Sequence, residues 1–198
     1  MLPVDDSREA RRRRHADVMD RTTVATARGS RDAGSMTSDG LSLAGFNDLP
    51  AKTAEEALLA CCSAPRWARA IVAARPYATT EALLAAADAR LVGLDDADID
   101  EALAGHPRIG DRPTSAASAR EQAGVAGEDV RAALAQGNRA YEAKFGHLYL
   151  VCAAGRGGEE LLAILLTRLN NDPATERQVM RTELAKINRL RLAGLVAP

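Results

Sequence analysis

The sequence predicts an all-α, single-domain helical bundle, residues 39–198, preceded by a disordered tail over residues 1–38. Three observations predict it. The 198-residue chain is 46% hydrophobic but only 3% aromatic, and much of its apolar content is alanine and leucine, which favour helix. Beyond residue 38 the apolar residues recur at helical spacing between recognisable start and stop signals. Only one stretch, "HLYLVCAAG", has strand-like composition, and a lone strand has nothing to pair with.

The tail differs in character from the rest of the chain. It carries the arginine run Arg11 to Arg14 and the Gly/Ser-rich stretch "RGSRDAGSMTSDG", with too little apolar material to offset the entropy of ordering it. Asp5, Asp6, Glu9, Asp17, Asp20 and Asp32 are interspersed with its arginines, which argues against a basic arm for nucleic acid. Met36 is an alternative start.

The helices come in order along the chain. "TAEEALLACC" offers Thr53 as N-cap with Glu56 three residues on, the spacing of a capping box. "PRWARAIVAARP" begins with Pro65 in a first turn and stops before Pro76. "TTEALLAAADARLVG" comes next, then "DADIDEALAG", whose Gly105 is expected to end its helix in the left-handed conformation. After a polar break, "SAREQAG" reads as a short helix, with Ser118 and Glu121 again at capping-box spacing. "EDVRAALAQGNRAYEAKFG" is a long helix closed by Gly146. "HLYLVCAAG" is then a buried extended connector. "GEELLAILLTRLNN" and a final helix from Asp172-Pro173 to about residue 194 complete the bundle.

Composition excludes several function classes. Twenty-six basic and 27 acidic residues nearly cancel, so no global field favours nucleic acid or a membrane surface. No apolar run approaches the ~20 residues needed to span a bilayer, and the arginine run is not followed by the apolar core of an export signal. Cys61, Cys62 and Cys152 make no disulfide framework. A soluble, cytoplasmic protein in a reducing compartment is the expectation. No His or Cys pair shows the close spacing of a metal motif, so no metal ligand is assigned.

Two features point to chemistry. Pro107 keeps His106 out of the α region, so the break "GHPRIG" holds an imidazole on a rigid, extended residue beside a turn. Such a group can exchange protons near neutral pH, or simply be exposed. In the last helix, Met180, Leu184, Ile187, Arg191 and Leu195 fall on one stripe, which sets Arg191 where an apolar residue is expected. A guanidinium there either snorkels at the helix end or meets a carboxylate, carbonyls or an anionic ligand. Arg108, Asp111 and Arg112 are assigned to surface ion pairs or a pocket rim. Arg168 is assigned to a helix surface or a subunit contact, Trp67 and Phe145 to the core, and Cys152 to a small buried hydrophobe. His147 is a second, weaker histidine candidate.

"GHPRIG", "SAREQAG", "YEAKFGHLYLVCAAGR", "LTRLNND" and "ELAKINRLRL", in this order, resemble the 2-oxo-4-hydroxy-4-carboxy-5-ureidoimidazoline (OHCU) decarboxylases of urate breakdown, which make (S)-allantoin. The resemblance covers roughly residues 41 to 195. It implies an all-α domain that dimerises, a carboxy-lyase activity on a small ureidoimidazoline, and no cofactor. It also implies His106, Glu121 and Arg191 as catalytic residues. Pro107, Ser118 and Gln122 are implied as substrate-binding, together with main-chain groups of Tyr149, Leu150, Val151, Cys152 and Ala153. No stretch resembles the transthyretin-like hydrolase to which some relatives are fused. A non-catalytic helical interaction module, in which the His-Pro loop is only a turn, is the alternative, and an enzyme acting on another ureido acid is a second.

Overall fold

In a computed structural model, which describes residues 41–113 and 115–197, the described chain forms nine α-helices and no strand. They are α1 (Leu43–Asp48), α2 (Ala51–Cys61), α3 (Pro65–Ala73), α4 (Thr80–Val92), α5 (Asp96–Ala104), α6 (Ala116–Glu121), α7 (Glu128–Phe145), α8 (Gly158–Arg168) and α9 (Pro173–Leu195). The expected tail, residues 1–38, lies outside the described residues.

Most boundaries obey their local chemistry. Thr79 caps α4, Asp95 caps α5 through a complete capping box, and Asp172 accepts from the amides of Ala174 and Thr175 at the head of α9. Pro65 occupies the first turn of α3, and Gly146, at φ 74°, ends α7 in the left-handed region.

Three boundary expectations are corrected. α2 starts at Ala51, directly after Pro50, so Thr53 lies inside the helix and caps nothing. α6 is capped by Ser115, whose Oγ accepts from the amide of Ser118, and Ser118 itself is buried in the helix. Gly105 is right-handed, at φ −81°. Its glycine is explained by space instead: a Cβ there would stand 2.1 Å from the Ser63 Oγ.

The core has two parts. In the first, α1 to α5 pack with α9 around the fully buried Phe46, Leu58, Trp67, Leu83, Ile99 and Leu184. The Trp67 indole, buried with them, donates to the Ala87 carbonyl at 3.0 Å, which removes the cost of hiding its N–H. In the second, α7 and α8 pack around Leu134, Tyr141, Leu161 and Leu165. Phe145, expected in the core, is half-buried against this cluster.

The connector runs between the two. Leu150 and Cys152 sit in the first cluster, and Tyr149, Val151 and Ala153 in the second. This period of two is that of an extended chain with an apolar layer on each side. It accounts for strand-like composition in a segment that pairs with no strand.

Candidate active site

The break after α5 brings His106 inward. Its amide donates to the Leu103 carbonyl at 2.9 Å, closing the helix end, and its Nδ1 bonds the Ala102 carbonyl at 2.9 Å. A carbonyl only accepts, so Nδ1 carries the proton and Nε2 holds the lone pair. Nε2 faces Arg191 Nη1 at 3.3 Å. Burial first, and then the Arg191 charge, push the His106 pKa down from 6.5 to about 4, against the opposing pull of the Ala102 carbonyl and Glu121. At neutral pH the ring is an uncharged base with one lone pair directed inward.

Arg191 is the residue that looked misplaced on the apolar stripe. Its Nε and Nη2 bond the two carboxylate oxygens of Glu121 at 2.7 and 2.8 Å, and Nη1 also donates to the Cys61 carbonyl at 3.1 Å. The bidentate geometry suits a planar guanidinium and resolves its placement. Glu121 is the last residue of α6, so the pair ties the ends of two helices 70 residues apart in sequence.

The His-Pro loop is braced from below. Gln122 accepts from the Gly110 amide at 2.9 Å and donates to the Arg108 carbonyl at 3.4 Å. Asn138 of α7 donates to the Ile109 carbonyl at 2.9 Å. Arg108 leaves the loop for the surface, where it pairs with Glu142 at 2.6 and 2.9 Å.

A narrow cleft of about 10 Å³, room for roughly one water molecule, opens at this point. Of the side chains and segments singled out in the sequence, His106, Pro107, Glu121, Gln122, Leu150, Val151, Ala153 and Arg191 line it. Ser118, Tyr149 and Cys152 stand behind its wall. The Ser118 hydroxyl accepts from Ser115, the Tyr149 hydroxyl donates to the Leu161 carbonyl, and the Cys152 amide donates to Glu183. Ile109 and Ile187 complete the lining, and neither is among the site residues expected from the sequence. Glu121 and Arg191 also border a wider groove between α2, α6 and the end of α9, so the ion pair stands between the cleft and the surface.

Burial pushes Cys61 and Cys62 up to about 11 and also raises Cys152, which keeps all three protonated at neutral pH. His147 is half-buried among aromatic rings, stacked on Phe145 at 6.2 Å, with Nδ1 3.2 Å from the Leu148 carbonyl.

Arg168 corrects the sequence reading most sharply. It is buried, and its guanidinium bonds Glu176 at 2.8 and 2.5 Å and the Leu150 carbonyl at 2.7 Å. Tyr141 donates to the same Glu176, and Asn171 bonds its second oxygen at 2.7 Å. The sequence signal was available: Glu176 and Glu183 lie on the apolar stripe of α9 with Met180, Ile187 and Arg191. Two acids on a buried stripe call for cations or amides to meet them.

Fold and cleft together define an all-α domain in which an imidazole, a carboxylate and a guanidinium meet on one cleft. Residues 47–193 match the OHCU decarboxylase family, and the chain belongs to it. It is 31% identical over 145 residues to the uric acid degradation bifunctional protein TTL of Arabidopsis thaliana, covering 68% of this chain and 45% of that protein. It is 30% identical over 143 residues to the 2-oxo-4-hydroxy-4-carboxy-5-ureidoimidazoline decarboxylase of Amia calva, covering 67% of this chain and 81% of the relative. The chain thus spans less than half the length of the plant protein. Among solved structures, an OHCU decarboxylase crystallised in the presence of (S)-allantoin superposes with a TM-score of 0.65 at 28% identity, over 73% of this chain and 99% of that one. An (S)-allantoin synthase, at 18% identity and a TM-score of 0.63 over 79% of this chain and 54% of that one, shares the fold.

Proposed function

We propose that the chain decarboxylates 2-oxo-4-hydroxy-4-carboxy-5-ureidoimidazoline to (S)-allantoin, with His106 as the proton carrier and Arg191 and Glu121 as its charged partners. The observation that carries the reading is the convergence of these three side chains on one cleft, with the imidazole neutral and its Nε2 lone pair turned inward.

The substrate's carboxylate sits on a ring carbon beside a C=N bond. When the bond to the carboxylate breaks, its electron pair moves into the ring toward the imine nitrogen, so the substrate is its own electron sink. The protein has to hold the ring, remove the proton of the hydroxyl as that oxygen becomes a carbonyl, and return a proton to the carbon bearing the ureido group, while the imine nitrogen takes one proton from water in place of the departed carbon dioxide. Nε2 of His106 accepts the first and the resulting imidazolium gives the second, a contribution of about 10²–10⁴ in rate for a well-placed group. Delivery to one face yields one enantiomer.

Arg191 prepares this step. It faces Nε2 at 3.3 Å and, after burial, is the main reason that the imidazole is a weak base. A substrate anion that draws the guanidinium toward itself frees the lone pair and offsets the positive field, which raises the basicity of His106 when the substrate is in place. Glu121 keeps Arg191 oriented, and its negative charge beside the leaving carboxylate favours expulsion of carbon dioxide. Pro107 and the connector main chain form the walls. Gln122 holds the His-Pro loop in register within reach of the ring's polar edge, and Ser118, behind the wall, secures the first turn of α6. The work is positioning and electrostatics, and the proposed reaction needs no cofactor.

A homodimer and a cytoplasmic setting complete the proposal. The family resemblance supports the first, and three reduced, buried cysteines are in keeping with the second.

The test generates the substrate fresh from urate with an oxidase and a hydrolase, then monitors circular dichroism in the allantoin band. Adding the protein is expected to speed formation of a single (S) signal. A trace that matches spontaneous, racemic decay would refute the assignment, and a folded protein indifferent to His106 substitution would favour an interaction module.

A further inference from the structure

We propose, on the basis of that decarboxylase reading, that Arg168 and Glu183 are positioning residues that clamp the connector and turn the peptide groups of Val151 toward the bound ring. Each meets the pole of the backbone that its charge suits. The Arg168 guanidinium donates to the Leu150 carbonyl at 2.7 Å, and the Glu183 carboxylate accepts from the Cys152 amide at 2.8 Å. Both are buried, and charge-assisted bonds are about twice as strong as neutral ones.

The clamps are themselves fixed. Glu176 holds Arg168 on two nitrogens, and the guanidinium lies 4.8 Å from the centre of the Tyr149 ring. Lys186 holds the other oxygen of Glu183 at 2.6 Å. Neither clamp lines the cleft, so neither is placed to touch the substrate.

Extended geometry does the rest. In such a chain the carbonyl of one residue and the amide two residues on leave by the same edge, and the residue between them presents its own pair to the opposite edge. The edge bearing the Leu150 carbonyl and the Cys152 amide is therefore the clamped one, and the N–H and C=O of Val151 occupy the other. Val151 is 2% exposed and lines the cleft, yet neither group has a hydrogen-bond partner among the described residues. Buried peptide groups seldom go unpaired. One donor and one acceptor side by side match the C=O and N–H of a ring amide.

The test compares Glu183→Met, which removes the acceptor, with Glu183→Gln, which keeps an oxygen for the amide, in the full chain. Two readouts are taken, amide hydrogen exchange across residues 149–153 and steady-state kinetics. Glu183→Met is expected to speed exchange of the Cys152 amide by roughly tenfold and to raise KM by roughly tenfold, with kcat little changed, because connector contacts bind ground and transition states alike. Glu183→Gln is expected to stay near the parent in both. If Glu183→Met does not fold, Arg168→Met combined with Glu176→Gln removes the other clamp without stranding a buried charge, and the same rise in KM is expected. Folded Met variants with unchanged exchange or unchanged KM would overturn the clamp, as would a Gln variant as impaired as Met. A parent that turns nothing over while the exchange pattern holds would sink the functional reading alone.

Discussion

Arg168–Glu176 and Arg191–Glu121 are the same chemical pair in two settings. The first is sealed, with side chains 6% and 0% exposed, and every polar edge is spent within the protein on Tyr141, Asn171 and the Leu150 carbonyl. The second is 9% and 18% exposed, borders a groove, and shares its guanidinium with an uncharged histidine nitrogen. A sealed pair has no reason to exchange partners, because nothing can reach it and any loss strands a buried charge. An accessible pair beside a base can trade one partner for an anionic ligand. Burial and satisfaction, rather than residue type, separate scaffold from machinery.

Substitutions that break this contrast come first. Arg168→Ala leaves Glu176 charged, fully buried and short of its cation, and is expected to destabilise the fold by about 3–5 kcal/mol. A Tm lowered by roughly 10 °C or more in calorimetry would show it. Arg191→Ala is expected to cost only about 1–2 kcal/mol, because Glu121 can rehydrate through the groove, while kcat/KM falls by about 10²–10³. If the two variants lost stability equally, the division between scaffold and machinery would be wrong.

Acid sharpens the contrast. The unfolded chain protonates His106 near 6.5, whereas the folded chain does so only at about 4. Between those values the unfolded state binds more protons, so stability is full above 6.5 and declines as pH falls toward 4, by ~2–3 kcal/mol from this residue. Urea denaturation at neutral pH and near pH 4.5 measures the decline, and His106→Gln is expected to remove this part of it. The same depressed pKa predicts that kcat/KM of the free enzyme shows no break near 6.5 on the acid side.

The smallest effect belongs to the surface. Arg108 sits two residues from His106, but its pair with Glu142 is 52% and 26% exposed. Arg108→Ala is expected to change stability by under about 1 kcal/mol and turnover by less than threefold.

Much of this was legible in the sequence, and the reasons differ by residue. Helices α3, α4, α5, α7 and α9 carry strong caps, prolines or terminal glycines, which act locally and can be read one residue at a time. Arg191 was visible because a charge interrupted an apolar stripe. The starts of α2 and α6 were misread because Thr53 and Ser118 have capping-box spacing, whereas the chain enters each helix earlier, after Pro50 and at Ser115. The misassignment of Arg168 has a different origin. Its burial depends on Glu176, Tyr141 and the Leu150 carbonyl, which meet only when α7, α8, α9 and the connector pack together, and no local pattern encodes that meeting.

The central claim is that the neutral, inward-facing imidazole moves the proton. The direct measurement is the initial rate of (S)-allantoin formation by His106→Asn, with circular dichroism confirming the parent's helical fold. The account predicts a rate about 10²–10⁴ below the parent's. A folded His106→Asn protein that works within threefold of the parent would contradict it.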